Sequence, residues 1–209
     1  MLTRLHGPRQ RGFTMIEMAI TMAIFGILLA AALPSISEWM DNTRIRNTAE
    51  TLQNGIQIAR SEAIRRNQPV SFFLVSSDSD HAMSANCTLS STSSAWIVAI
   101  SNPTGQCDQA PSDTTAPMII TARTSGDAGA RVSLSAVDST ATAATSLTFN
   151  GFGRVMANAD GSQSISQIDV TGLADGVTYR DLSVRITPQG MVRMCDPNPN
   201  LSSDDPRKC

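Results

Sequence analysis

Apolar residues crowd the start of this chain and are thinly spaced afterwards. Phe13 to Leu33 is almost wholly apolar, interrupted by a single charge at Glu17. As a helix, about 20 residues rise roughly 30 Å, the thickness of a bilayer core, so residues 13–34 are predicted to form a transmembrane helix. Pro34 has no amide hydrogen and is expected to kink that helix or mark its exit from the membrane. Beyond it the pattern changes. Ile45, Ala49, Leu52, Ile56, Ala59 and Ala63 recur at steps of four and three, one apolar stripe on an amphipathic helix over residues 35–67. Arg44, Arg46, Glu50, Arg60, Glu62 and Arg65 fall mostly off the stripe. It reads as a face packed on the protein's own head rather than as a coiled-coil seam. Asn67-Gln68-Pro69 ends the helix, because a residue before proline is pushed out of helical geometry.

The remaining pattern is that of strands. Val70–Val75 is rich in β-formers, and Trp96–Ile100 and Met118–Ala122 are short apolar runs. Leu182, Val184 and Ile186 alternate with Ser183 and Arg185, the period of a half-buried strand. Thr187-Pro188-Gln189-Gly190 reads as a turn into Met191–Met194, which predicts a C-terminal hairpin, and Asn150-Gly151 is a further turn signal. Ser76–Ser94, Asp108–Ala116 and Ala136–Ser146 are rich in Ser, Thr, Ala and Gly and are expected to be surface loops. Roughly 140 residues follow the helix, enough for one compact β-sandwich core. The expected fold class is α+β: a long N-terminal helix, membrane-spanning in its first half, packed on a C-terminal β-rich head at residues 68–209.

Composition adds three constraints. The chain has 209 residues and a formal charge of −2, from 16 basic and 18 acidic side chains. The first twelve residues hold Arg4, Arg9 and Arg11 and no acid, so the remainder has 13 bases against 18 acids. That balance lacks the basic footprint of a protein that binds nucleic acid over its whole surface, though it allows a local basic patch. The cysteines form two sequence-local pairs, Cys87 with Cys107 and Cys195 with Cys209. An even count at local spacing suits two disulfides in an oxidising compartment. Four cysteines allow three connectivities, of which the two local loops are preferred here over the others and over free thiols. Finally, catalytic patterns are missing from the sequence. His6 lies in the leader and His81 is alone in a polar loop; no GxSxG, HExxH or phosphate-loop motif occurs. Asp78, Asp80, Asp204 and Asp205 read as solvated loop acids. No enzymatic activity, metal or cofactor is expected.

The position of the one charge in the apolar run is the most informative feature. A carboxylate inside a membrane span costs about 2.5–3.5 kcal/mol on insertion scales and implies a partner. A secretory signal peptide is the alternative, with Ala30–Ala32 imitating its cleavage site, but it explains neither Glu17 nor the small residue Gly12 at the junction of basic leader and apolar helix. The string Gly12-Phe13-Thr14-Met15-Ile16-Glu17 with its apolar tail resembles the class III signal of type IV pilins and pseudopilins. The resemblance covers residues 7–34, including Gly26 and Pro34, where members of the family commonly soften or kink this helix. It implies that a prepilin peptidase removes residues 1–12, cutting after Gly12, and methylates Phe13. It also implies that Glu17 pairs with a neighbouring subunit's N-terminal amine in the filament. Basic residues stay cytoplasmic, so the head is expected in the periplasm of a single-pass inner-membrane protein that later enters a pilus.

The head narrows the resemblance. Leu147-Thr148-Phe149-Asn150-Gly151-Phe152-Gly153-Arg154-Val155 and a Thr-Pro-x-Gly hairpin ending in a cysteine resemble the GspH/FimT group of low-abundance pilins and pseudopilins. The implied role is to initiate or prime type IV pilus assembly, with the subunit incorporated near the filament tip. The implied partners are other minor and major pilins, the prepilin peptidase and the inner-membrane assembly platform. A type II secretion pseudopilin is the alternative in the same family. A third is a DNA-binding minor pilin for natural transformation, since some FimT-type proteins use a Gly-Arg-x-Arg element in this hairpin. Here the stretch is Gly190-Met191-Val192-Arg193, without the first arginine. Arg180, Arg185, Arg193, Arg207 and Lys208 would form at most a modest basic edge interspersed with Asp181, Asp196, Asp204 and Asp205, giving weak, salt-sensitive binding.

Overall fold

The computed structural model describes residues 12–76, 78–79, 81–126, 131–173 and 179–209; the side chains of residues 31–35 fall outside that description. The leader residues Arg4, His6, Arg9 and Arg11, and Asp80, also lie outside it. The chain divides into two compact units, Met1–Trp39 and Met40–Cys209.

One helix, α1 (Met15–Arg66), is the first element. It runs through Pro34 as a single helix. In the first unit its side chains are exposed, including Met15, Ile16, Ile20, Ile24, Phe25 and Leu28. Among the described residues no helix is long and apolar enough to cross a membrane. The expected span Phe13–Leu33 runs into residues 31–35, whose side chains are outside the description, as is the side chain of Pro34.

In the second unit the stripe Ile45, Ala49, Leu52, Ile56, Ala59 and Ala63 is fully buried at every position. Fully burying each of the larger members contributes about 1.5–3 kcal/mol. Gly55 sits beside this stripe, where a glycine costs a helix interior about 1 kcal/mol relative to alanine. Packing gives the reason for it. A Cβ at residue 55 would lie 2.8 Å from Trp96 Cε2 and 2.9 Å from Phe72 Cε2, and those rings pack together with centroids 5.7 Å apart. The helix ends as Asn67 takes a positive φ of 50° just before Gln68-Pro69.

Among the described residues ten strands follow: β1 (Val70–Ser76), β2 (Thr88–Leu89), β3 (Trp96–Ala99), β4 (Ile119–Arg123), β5 (Val132–Val137), β6 (Ser146–Phe149), β7 (Val155–Met156), β8 (Gln167–Gly172), β9 (Leu182–Ile186) and β10 (Val192–Cys195). They form two antiparallel sheets, one ordered β4-β3-β1-β6-β7 with β2 paired to β1, the other β10-β9-β8-β5. One core joins the helix stripe to both sheets: Phe72, Leu74, Trp96, Val98, Leu147 and Phe149 from the first, Leu134, Ile168, Val170 and Val184 from the second. The fold is therefore α+β, with the helix packed on a β-rich head.

The central strands of the first sheet, β1, β3 and β6, are buried on both faces, which explains why β1 is apolar at nearly every position rather than alternating. Its far face carries Phe73, Val75, Ile97, Ala99 and Ile119 under a second cluster that includes Cys87 and Cys107. Those cysteines are bonded to each other, so a disulfide sits in the loops that cover this face. Polar groups there are paired: Ser71 Oγ lies 2.8 Å from Thr148 Oγ1, which donates to Asn158 Oδ1 at 2.8 Å.

The expected loops need correction in two places. Ser76–Ser94 contains β2 at Thr88–Leu89, and Ala136–Ser146 begins inside β5. The β5–β8 pair is a full six-residue register, Val132 opposite Gly172 through Val137 opposite Gln167.

Candidate functional site

Glu17 takes its geometry from Thr14. The Thr14 amide and hydroxyl both donate to Glu17 Oε2 at 2.9 Å, and Thr14 Oγ1 accepts from the Glu17 amide at 3.3 Å. This is a capping box, in which the N-cap threonine and the glutamate three residues on satisfy each other's free donors at the helix start. The positive end of the helix dipole favours the carboxylate there. Glu17 Oε1 takes part in no hydrogen bond among the described residues. Gly12 and Phe13 precede the cap outside the helix and are exposed, Phe13 being 87% accessible. The peptide bond between them thus lies outside the helix, within reach of an enzyme.

The two glycine-containing stretches of the head meet at the other end of α1. The β6–β7 connection folds around Asn150, whose Oδ1 accepts from the amides of Phe152 and Arg154. The β9–β10 turn closes with the Gly190 amide donating to the Thr187 carbonyl at 2.8 Å. Gly153 and Gly190 both have positive φ, 71° and 82°, a region costly for any residue with a Cβ. A Cβ on Gly190 would collide with the Gly153 carbonyl oxygen, and one on Gly153 would lie 2.7 Å from Ile64 Cδ1. Arg60 Nε donates to that same Gly153 carbonyl at 3.0 Å. Phe152 and Met191 remain 84% and 63% exposed at the tips of the two turns.

The five basic candidates do not form one patch. Arg185 of β9 lies directly opposite Arg193 of β10 and opposite Gln167 of β8, on the exposed face. Arg193 Nη2 donates to the Lys208 carbonyl at 3.2 Å, so these three gather. Lys208 Nζ, however, is spent on the Leu201 carbonyl at 2.8 Å. Arg207 is paired with Asp205 at 2.7 Å, a hydrogen bond that holds the Asp205 carboxyl down to about 2. Arg180 stands apart, its amide bonded to Asn42 Oδ1 at 2.8 Å. Acids share the surroundings. Burial pushes the Asp181 carboxyl up, against a bond from the Gly172 amide, and Asp196 and Asp169 add to the rise. Cys195 is bonded to Cys209, which returns the C-terminal segment to β10, where Asp196 bridges Lys208. His81 sits in an exposed loop. Among the described residues no group of His, Cys, Asp and Glu is placed to hold a metal ion.

Two of these features were missed in the sequence. Thr14-x-x-Glu17 is a capping-box pattern legible at sight. Arg60 had no local signal, since its partner is 93 positions away.

Comparison with known proteins gives matches at both ends of this description. Residues 48–190 match the family described as Type II transport protein GspH, and residues 7–33 match the prokaryotic N-terminal methylation motif. The competence protein ComGD of Bacillus subtilis (strain 168) is 34% identical over 59 residues, which are 28% of this chain and 41% of that protein. The match therefore spans less than half of that relative. The type IV minor pilin FimU of Pseudomonas aeruginosa (strain PAO1) superimposes with a TM-score of 0.43 at 14% identity, covering 75% of this chain and 91% of that one. A second crystal form of FimU gives 0.38 at 14% identity, over 71% and 90% of the two chains.

Proposed function

Since the chain belongs to the GspH family and is a minor pilin or pseudopilin of the type IV pilus and type II secretion class, we propose that it helps prime assembly of a type IV pilus and is incorporated near the filament tip. The observation that carries this reading is the junction itself: an exposed Gly12–Phe13 bond next to a capped helix with Glu17 the one charge in its apolar run. In this reading residues 1–12 stay in the cytoplasm until the prepilin peptidase cuts after Gly12 and methylates Phe13. Phe13–Leu33 then holds the protein in the inner membrane with its head in the periplasm, and later packs in the filament core among other pilins.

Processing leaves the cap intact, because Phe13 alone would precede Thr14. Glu17 Oε2 stays with Thr14, and Oε1 is free to accept from a neighbouring subunit's terminal ammonium. In low dielectric that contact offsets much of the carboxylate's desolvation, and it forms only in one register. A priming subunit is needed because the first layer of a helical filament lacks most of its stabilising neighbours.

The test is complementation of a deletion strain with the wild-type chain or Glu17→Ala, scoring surface pili and secreted type II substrates separately. The reading requires that deletion abolish pili, that the wild-type chain restore them, and that Glu17→Ala insert in the membrane without restoring them. Normal piliation with Glu17→Ala overturns the register role.

The family's description as a type II transport protein favours a second reading, a minor pseudopilin, for which secretion rather than piliation fails in the deletion strain. DNA binding in transformation is a weaker reading, supported by the Arg185–Arg193 pair and opposed by the acids around it. It requires that Arg185→Gln with Arg193→Gln lower DNA uptake while leaving pili unchanged.

A further inference from the structure

We propose that the cleft between α1 and the edge strand β4 binds an extended acidic peptide segment of a neighbouring filament subunit. The cleft has a volume of about 550 Å³. One wall is a face of α1 carrying Arg44, Thr48 and Thr51, which the helical repeat stacks on one side. The other is the end of β4 at Arg123 and the chain beyond it through Thr124, with Ser94 also lining it.

Charge argues for the ligand's sign. Among the described residues, two guanidinium groups line the cleft and no carboxylate does. Arg44 gives one nitrogen to Asp41 at 2.6 Å and keeps its other donors; Arg123 makes no ion pair among the described residues. The hydroxyls of Thr48 and Ser94 are buried without a hydrogen-bond partner, on residues only 4% and 9% exposed. An unpartnered buried hydroxyl is costly, and a polar ligand seated here supplies what both lack.

Shape argues for a peptide rather than a lone anion. Among the described residues β4 is the last strand of its sheet and pairs with β3 alone, with the Ser112 amide donating to its Ile119 carbonyl at 3.0 Å. The wall continues along consecutive residues past the strand, so an occupant lies along the chain from Ala122 to Gly126. An added strand takes its main-chain hydrogen bonds from such an edge, and an acidic side chain on it meets the arginines in charge-assisted bonds. The filament reading enters only in naming the segment's source.

Fluorescence anisotropy on the full chain in a nonionic detergent tests this, with a labelled synthetic peptide in which glutamate alternates with threonine. Its glutamine counterpart, inorganic phosphate and a duplex oligonucleotide serve as competitors. The glutamate peptide is expected to bind, the glutamine peptide at least about tenfold more weakly, and Arg123→Gln to cost about tenfold. Arg123 has no internal ion pair to lose, and an unchanged melting temperature verifies that the variant is folded. Equal binding of both peptides, equal binding to wild type and Arg123→Gln, or no peptide binding overturns the proposal. So does phosphate or the oligonucleotide binding in place of the peptide with the same dependence on Arg123. Binding is read without a filament, so its failure leaves the role of Glu17 in assembly standing, and failed assembly leaves this site standing.

Discussion

Gly190 is where the head tolerates least change. It has a positive φ, and a Cβ there would meet the Gly153 carbonyl that Arg60 also needs. Gly190→Ala is expected to cost about 2 kcal/mol or more, seen as a lower melting temperature; an unchanged one would mean the two turns separate freely. Thr14→Ala removes the two bonds of its hydroxyl with Glu17 and keeps the bond from its amide, a loss of about 1 kcal/mol at the helix start. Amide exchange over residues 15–18 should quicken in that variant, and unchanged exchange would contradict the capping role. Asp181 yields a pH prediction. Its carboxyl is raised by burial, so the folded state holds its proton to higher pH than the unfolded chain, and stability falls as pH rises from the ordinary carboxylate range through the raised value. Asp181→Asn removes that fall and should be more stable than wild type at neutral pH, by denaturant unfolding; equal slopes against pH would refute it. Sequence revealed Glu17 because a lone charge in an apolar run stands out, whereas Arg60 and Asp181 owe their character to residues far along the chain.

At the scale of elements, α1 was legible because its stripe has one period and is buried at each position. β1 was legible from its density of β-formers, and the C-terminal hairpin from Thr187-Pro188-Gln189-Gly190. β5 and β8 were not recognised. Val132, Leu134 and Ala136 alternate with serines, as Ile168 and Val170 alternate with polar residues, but the small side chains resemble the neighbouring Ser/Ala-rich loops, and only the pairing across six positions makes them strands. The far face of the first sheet depends on a covalent tie, because β2 has only two residues and the covering loops contribute little regular structure. Replacing Cys87 and Cys107 together by serine opens a loop of sequence separation 20, which is expected to cost about 3 kcal/mol. It should also expose Phe73 and Ile97 to a hydrophobic dye; unaltered stability would show that the loops hold without the bond.

For the molecule as a whole, division of labour follows the two compact units. The first presents apolar side chains and the capped Glu17; the second buries a core shared by helix and sheets and leaves Phe152 and Met191 exposed at two turns. A chain with that much exposed apolar helix calls for surroundings that cover it; in the proposed function these are a bilayer and then a filament core. Membership of the pilin class was readable from the first residues because the methylation motif is local in the sequence. The head's role depends on surfaces brought together across the fold, and so was not. The account stands most directly on what happens at Gly12. Intact mass and N-terminal sequencing of the protein, purified from a host with the prepilin peptidase, should find a mature chain beginning with methylated Phe13. A chain cut after the Ala30–Ala32 run would contradict it, for the cap, Glu17 and the whole filament reading would be lost with the discarded segment.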